Sequence, residues 1–270
     1  MIINTNASAS AAIYNLDQTN VNLRRSLTRL SSGLRINTAL DDPGGLAVSL
    51  KLSAAIRRTD ATSANVENAL SYLQSQDGVL QAASSILERM SELASSASGA
   101  ASTDDNALYD TEYDELATEL TTLTGEEFNG ISLFANPSST LVVRTSENAS
   151  QTVGITQVDL EDIATAVATG DLTTTSTATD AMAILDTQIQ ALAVLRATNG
   201  AQQSRLIFAQ DILEVNRLNL EAANSQIMDA DIAKESTEYA KHSILADAGV
   251  AMLAQANTKA ERALKLLEFS

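Results

Sequence analysis

Apolar residues recur every seven positions at both ends of the chain. Near the N-terminus one row runs Ile2, Ala9, Leu16, Leu23 and Leu30, and an interleaved row runs Ile13, Asn20, Leu27 and Leu34. Near the C-terminus the row is Ile232, Tyr239, Ala246, Leu253, Ala260 and Leu267. A seven-residue repeat keeps one seam of a helix against a partner helix. Two such helices at opposite ends predict a chain folded back on itself with its ends paired. Asn20 falls in the seam, where a buried amide costs stability and fixes register. Periodicity alone leaves two readings open, an assembly seam and the core face of an ordinary amphipathic helix.

The repeat continues inward. Residues 46–98 predict a second helix of about fifty residues, roughly 75–80 Å long. Val66, Leu73, Leu80, Leu87 and Ala94 form one row on it, and Ala69, Ala83 and Met90 an adjoining row interrupted by Gln76. Small polar residues over 99–106 read as a turn. A returning helix is expected over 107–123, stopped by Gly125. Asn129-Gly130 is a hairpin-turn signal, and 141–143 and 152–158 have strand character, so a small β-hairpin region is expected within 131–178. Helix resumes near Asp180, with Leu185, Leu192, Leu206, Leu213 and Leu220 in phase and Asn199 in the gap. A joint rich in Ser, Asn and Asp over 224–231 precedes the last helix. Asp41-Asp42, ahead of Pro43-Gly44-Gly45, reads as a helix N-cap pair rather than a metal site. The fold class is mainly α, with long antiparallel helices, coiled-coil terminal helices and a small β-hairpin region.

Composition narrows the architecture. Aromatic residues make up 3% and tryptophan is absent, which favours thin bundles filled by Leu and Ala over a broad aromatic core. The absence of cysteine excludes disulfides and thiolate metal sites. The net charge of −17 is unevenly spread: residues 100–180 hold fifteen acids against Arg144 alone, whereas residues 1–36 hold four arginines and Asp17. An acidic field disfavours nucleic acid and anionic membrane, and the basic arm lacks the aromatics and dense cationic cluster of a nucleic-acid binder. The opening residues carry no basic n-region and no apolar h-region, so no cleaved secretory signal is expected. No window is apolar enough for a membrane span.

Candidate chemistry is sparse. His242 is the one histidine and sits beside Lys241, with no nucleophile or ligand set to accompany it. The acids Asp104, Asp105, Asp110, Glu112, Asp114 and Glu115 lack calcium-loop spacing and read as a solvated face. No catalytic, cofactor-binding or metal residue is expected, and the chain does not read as an enzyme.

Several local strings carry a family resemblance. They are Ile3-Asn4-Thr5-Asn6, then Leu30-Ser31-Ser32-Gly33-Leu34-Arg35-Ile36-Asn37 followed by Asp41-Asp42, Phe128-Asn129-Gly130, and Gly200-Ala201-Gln202 ahead of Arg205. Asp229-Ala230-Asp231-Ile232-Ala233 and Ala251-Met252-Leu253-Ala254-Gln255-Ala256-Asn257 complete the set. In this order they resemble bacterial flagellin over residues 1–134 and about 180–270. Pro43-Gly44 and Ser91 depart from the usual pattern. The resemblance implies a structural subunit exported unfolded through the flagellar type III channel and polymerised into the extracellular helical filament for swimming motility. It implies six stretches: 1–36, the N-terminal helix of an inner-tube domain; 37–45, a connector; 46–128, part of an outer-tube domain; 129–178, a short variable region at the outer part; 179–223, the rest of the outer-tube domain; and 224–270, the C-terminal inner-tube helix.

Assembly is then expected to rest on Ile13, Leu16, Asn20, Leu23, Leu27, Leu30, Leu34, Ile232, Tyr239, Leu253 and Leu267. The implied partners are further copies of the chain, the export apparatus, an export chaperone and the filament cap, with no cofactor, nucleic acid or membrane. Arg89, Leu93 and Glu115 match the patch by which the animal Toll-like receptor for flagellin recognises its ligand. The hook–filament junction protein of the same superfamily is the alternative. A protease inserted in the middle, as in some flagellins, would need a His-Glu-x-x-His motif, which a single histidine excludes.

Overall fold

The structure, a computed structural model, describes residues 6–268 apart from 101 and 149, and excludes the side chains of 103, 260, 261 and 263–268. The seam residues Ile2, Ala260 and Leu267 therefore fall outside the described positions or side chains. The chain divides into two compact units, Met1–Ala54 with Asn219–Ser270, and Ala55–Leu218.

In the first unit, α1 spans Ala7–Ser32 and α6 spans Ile232–Glu268. The Asn6 side chain accepts from the Ala9 N–H at the start of α1, and Gly33 closes it with φ 71°. Both are ordinary helix-end chemistry, a short polar N-cap and a left-handed glycine. Between α1 and α2 (Pro43–Ser98), Asp42 accepts from the Gly45 N–H at 2.9 Å, with Pro43 in the first helical position, where its missing N–H costs nothing.

The second unit is built on the inner parts of α2 and α5 (Thr175–Met228). Val66, Leu73, Leu80, Leu87 and Ala94 are each fully buried, as are Leu185, Leu206 and, within 3%, Leu192 and Leu213. The seven-spaced rows are thus the core. Their two polar interruptions meet: Asn199 Nδ2 donates to Gln76 Oε1 at 2.7 Å and to the Leu73 carbonyl at 3.1 Å. Gln76 Nε2 in turn donates to the Leu133 carbonyl at 2.6 Å. A buried amide pair that satisfies itself fixes one register of two long helices, since a slip would leave both groups without partners.

The returning helix α3 covers Thr103–Leu123, four residues longer at its start than the spacing predicts, because Ser102 caps it and Asp104 and Asp105 occupy the first turn. Asn129 and Gly130 adopt φ 52° and 77° and turn β1 (Glu127–Phe128) into β2 (Ile131–Ser132). Strands β3 (Thr140–Arg144) and β4 (Thr152–Thr156) pair antiparallel from Thr140↔Thr156 to Arg144↔Thr152. The expected hairpin region is present. One element in it is unexpected: α4, Glu161–Val167, buries Ile163, Ala164 and Val167.

Two further boundaries move. The resumed helix begins at Thr175, where Thr174 Oγ1 accepts from the Thr177 N–H. The joint read over 224–231 shrinks to 229–231, because α5 runs on through Met228. There Asn224 Oδ1 accepts from Ser49 Oγ at 2.7 Å, and this packing overrides the weak helix propensity of Asn and Ser.

Tyr113 on α3 is fully buried and donates to the Val167 carbonyl of α4 at 3.0 Å. Burial first, then Asp114 and Asp110, push its hydroxyl up to about 12. A Cβ at Gly170 would lie 2.9 Å from Tyr113 Cζ. Gly170→Ala is therefore expected to displace the ring and destabilise this unit by about 1–3 kcal/mol, read as a lower thermal midpoint. An unchanged midpoint would show that the loop yields without cost.

Candidate assembly surface

Helices α1 and α6 pair antiparallel. The pairing is marked along its length by Asn6 Nδ2 donating to the Ala256 carbonyl at 3.1 Å, Arg29 facing Glu235 at 3.7 Å and a bridge between Leu34 and Asp229. A Cβ at Gly249 would stand 3.1 Å from Leu16 Cδ1, so the helices pass close to each other at that point. Ala9 is buried, and Leu16, Leu23 and Leu30 are half-buried against α6. Asn20, Leu34, Tyr239 and Leu253 are also half-buried. Ile13 and Leu27 are each 54% exposed and Ile232 is 50% exposed. The seam residues thus divide into half-buried and exposed positions, and the division cuts across the rows, since Asn20 and Leu34 share a row with Ile13 and Leu27, and Ile232 shares one with Tyr239 and Leu253.

Two helices make only one layer, and their outer faces keep large apolar side chains in water. Tyr14, Ile244, Val250 and Met252 are each more than half exposed. A single layer lacks the second packing partner that a stable domain needs. Exposed apolar surface on this scale marks an interaction site. Leu16→Ala is expected to loosen the α1–α6 pair within one chain. Leu27→Ala is expected to leave the monomer's helicity and melting unchanged yet raise the critical concentration for polymerisation at least about tenfold, as for a Leu buried in a polymer contact. Equal critical concentrations would place Leu27 outside every contact.

The string over 30–42 forms a clasp. Arg35 N–H donates to the Met228 carbonyl at 2.6 Å, and Ala230 N–H to the Gly33 carbonyl at 2.9 Å. Arg35 Nη2 donates to the Ile227 carbonyl at 2.8 Å, satisfying a free carbonyl at the end of α5. Ile36 is buried, and Asn37 Nδ2 donates back to Ser32 Oγ at 2.8 Å. The Ile36 side chain leaves no room for a Cβ at Gly45, which would lie 2.7 Å from Ile36 Cδ1. Asp41 accepts from the Asn37 and Thr38 N–H groups and the Thr38 hydroxyl, with Arg25 and Arg29 within 4 Å. Burial opposes its charge, but the bonds from Thr38 and Asn37 and the field of Arg29 outweigh it and hold the carboxyl below its ordinary value. This contribution to the clasp is complete above the ordinary carboxylate value and is lost as pH falls through the lowered one.

Beside the clasp, an open cleft of about 530 Å³ is lined by Arg25, Arg29, Arg35 and Lys234 and by Asp229, Asp231, Glu235 and Glu238. Its charges balance, four basic against four acidic, and Arg29 and Glu235 pair within it at 3.7 Å. His242 borders the cleft, with Nε2 3.7 Å from Glu238. Among the described residues no three His, Cys, Asp or Glu side chains gather as for a metal, and no helix is long and apolar enough to cross a membrane.

The residues matched to the receptor patch do not share one exposed face. Arg89 and Glu115 are exposed, but Leu93 is 3% exposed and belongs to the core. Arg89 pairs with Glu112 at 2.8 Å and Glu92 at 3.1 Å, not with Glu115. The buried face of α2 is wide enough here to take in Met90, Leu93, Ala94 and Ala97 together. Spacing from Arg89 therefore does not tell on which side of the boundary Leu93 falls.

Comparison with known proteins gives a uniform result. Residues 3–139 match the family model of the bacterial flagellin N-terminal helical region, and residues 182–267 that of the C-terminal helical region. The chain is 37% identical to a flagellin of Halalkalibacterium halodurans, with 99% of this chain and all of the relative covered. It is 34% identical to flagellin FlaB1 of Treponema pallidum and 33% identical to a flagellin of Bacillus subtilis, at the same coverage. The crystal structure of Bacillus cereus flagellin is similar over 55% of this chain and 88% of its own, with a TM-score of 0.51 and 31% identity.

Proposed function

This chain belongs to the bacterial flagellin family, a family of structural filament proteins, and on that premise we propose how it is delivered and used. It leaves the cell through the flagellar type III channel, held by an export chaperone, and adds beneath the filament cap. There it extends an extracellular propeller for swimming motility. Residues 1–36 and 224–270 serve the inner tube, with 46–128 and 179–223 in the outer tube and 37–45 and 129–178 as connector and surface segment. The eleven seam residues named above supply the inner contacts.

The observation that carries this reading is the one-layer α1–α6 pair, which turns Ile13, Leu27 and Ile232 to water. Neighbouring copies supply the missing second layer. Sedimentation after adding filament seeds tests it. Flagellin pellets as polymer that grows with added monomer, whereas the hook–filament junction alternative stops at a few copies per seed.

Recognition by the animal Toll-like receptor for flagellin forms part of the same reading, through the patch of Arg89, Leu93 and Glu115. Monomer is expected to activate a receptor-reporter cell and Arg89→Ala to lower the response about tenfold, in the range of an interface hot spot. An unchanged response to Arg89→Ala would remove that residue from the site.

A further inference from the structure

The unit Ala55–Leu218 carries two apolar surfaces open to solvent, one on the outer side of α5 and one at the edge of its core. On α5, Val194, Ala201, Phe208 and Val215 recur every seven residues, with Arg205 and Ile212 in the same stripe. At about 100° per residue Phe208 and Val215 lie opposite Leu206 and Leu213, which face the core, and Val194, Ala201, Arg205 and Ile212 lie beside them on the exposed side. Phe208 is 67% and Ile212 60% exposed. A long helix with one buried face and a second apolar face expects a second partner.

The other surface is concave. A groove of about 440 Å³ opens between α2 and the two hairpins, walled by Tyr72, Phe128, Ile131, Leu141, Val143 and Ile155. Tyr72 meets Phe128 edge to face at its floor, with ring centres 6.2 Å apart. Ile131 stands at the lip, 45% exposed.

A ridge and a groove on different faces of one chain fit a heterologous contact, which repeats without closing and generates a helical polymer. Charge agrees with shape. Arg205 lies within the ridge, exposed and without an ion-pair partner among the described residues. Glu126 and Glu127, at the base of the hairpin that walls the groove, are likewise exposed and unpaired among the described residues. We propose that in the polymer the Phe208 ridge of one copy seats in the Tyr72–Phe128 groove of the next, with Arg205 meeting Glu127. The inference rests on the filament reading and adds a defined pair of surfaces to it.

The absence of cysteine makes a clean test. Phe208→Cys and Ile131→Cys, made as separate single variants, are copolymerised and oxidised with diamide. The contact predicts a disulfide-linked dimer holding one of each variant in the polymer, none in an equimolar mixture of monomers, and none from either variant alone. Polymer that forms without the mixed dimer, or that links Phe208→Cys to itself, overturns the contact and leaves the filament reading standing. Wild type that never polymerises overturns both. A charge exchange keeps the test independent of cysteine chemistry. Arg205→Glu and Glu127→Arg should each raise the critical concentration about tenfold, and the double variant should return to within about twofold of wild type. A double variant as defective as the single ones contradicts the pairing, provided its helicity equals that of wild type.

Discussion

A chain lacking residues 236–270 is expected to lose polymerisation completely while the unit Ala55–Leu218 keeps its helices and its melting temperature. The deletion takes away nearly all of α6, and with it the surface on which Ala9, Leu16, Leu23 and Leu30 pack. Left alone, α1 is 26 residues long with a sparse apolar face, and an isolated helix of that kind is marginal in water. Circular dichroism should therefore show the loss of more helix than the deleted residues themselves contained. The second unit has its own core around Leu73, Leu80 and Leu206, none of which the deletion touches. Filaments of normal length from the truncated chain would refute this account of the terminal helices. A collapsed melting transition would show that the units do not fold independently.

Asn199→Leu is expected to destabilise the second unit by about 2–4 kcal/mol. The substitution leaves Gln76 Oε1 buried without its donor and removes the acceptor that Gln203 Nε2 uses at 2.6 Å, and each buried polar group left unpaired costs about 1–3 kcal/mol. Leucine is also bulkier and branched at a helix contact where both neighbours are fully buried. Thermal or urea unfolding of the unit's transition measures it. A loss below about 0.5 kcal/mol, the level of an ordinary surface change, would mean that the amide pair is dispensable and that hydrophobic packing alone sets the register.

Much of this was legible beforehand because seven-residue rows over long stretches are the strongest pattern a sequence can carry. The rows through Val66 and Leu185 announced α2 and α5, and Asn129-Gly130 announced its turn. Other features were hidden for definite reasons. The apolar positions of α4, Ile163, Ala164 and Val167, with Leu160 just before it, have helical spacing, but they lie in a Thr- and Val-rich stretch whose composition points to strand. Gln76 and Asn199 each looked like a gap in a row, and only the folded chain shows that one gap fills the other. Arg35 gave no sign that it would cap a helix 192 positions away. Asn224 and Ser225 read as a joint because propensity is local, while the bond from Ser49 that holds Asn224 in helix is not. Among the seam residues, heptad position alone did not separate Leu16, which meets α6, from Leu27, which faces water.

Electron microscopy of the purified protein, depolymerised by heat and then seeded, shows whether copies of the chain complete one another's α1–α6 layer. Long, uniform helical filaments are expected, with a length that grows with the ratio of monomer to seed. Seeds that gain only a short cap of fixed length, or monomer that stays dispersed at every concentration, would contradict the filament reading.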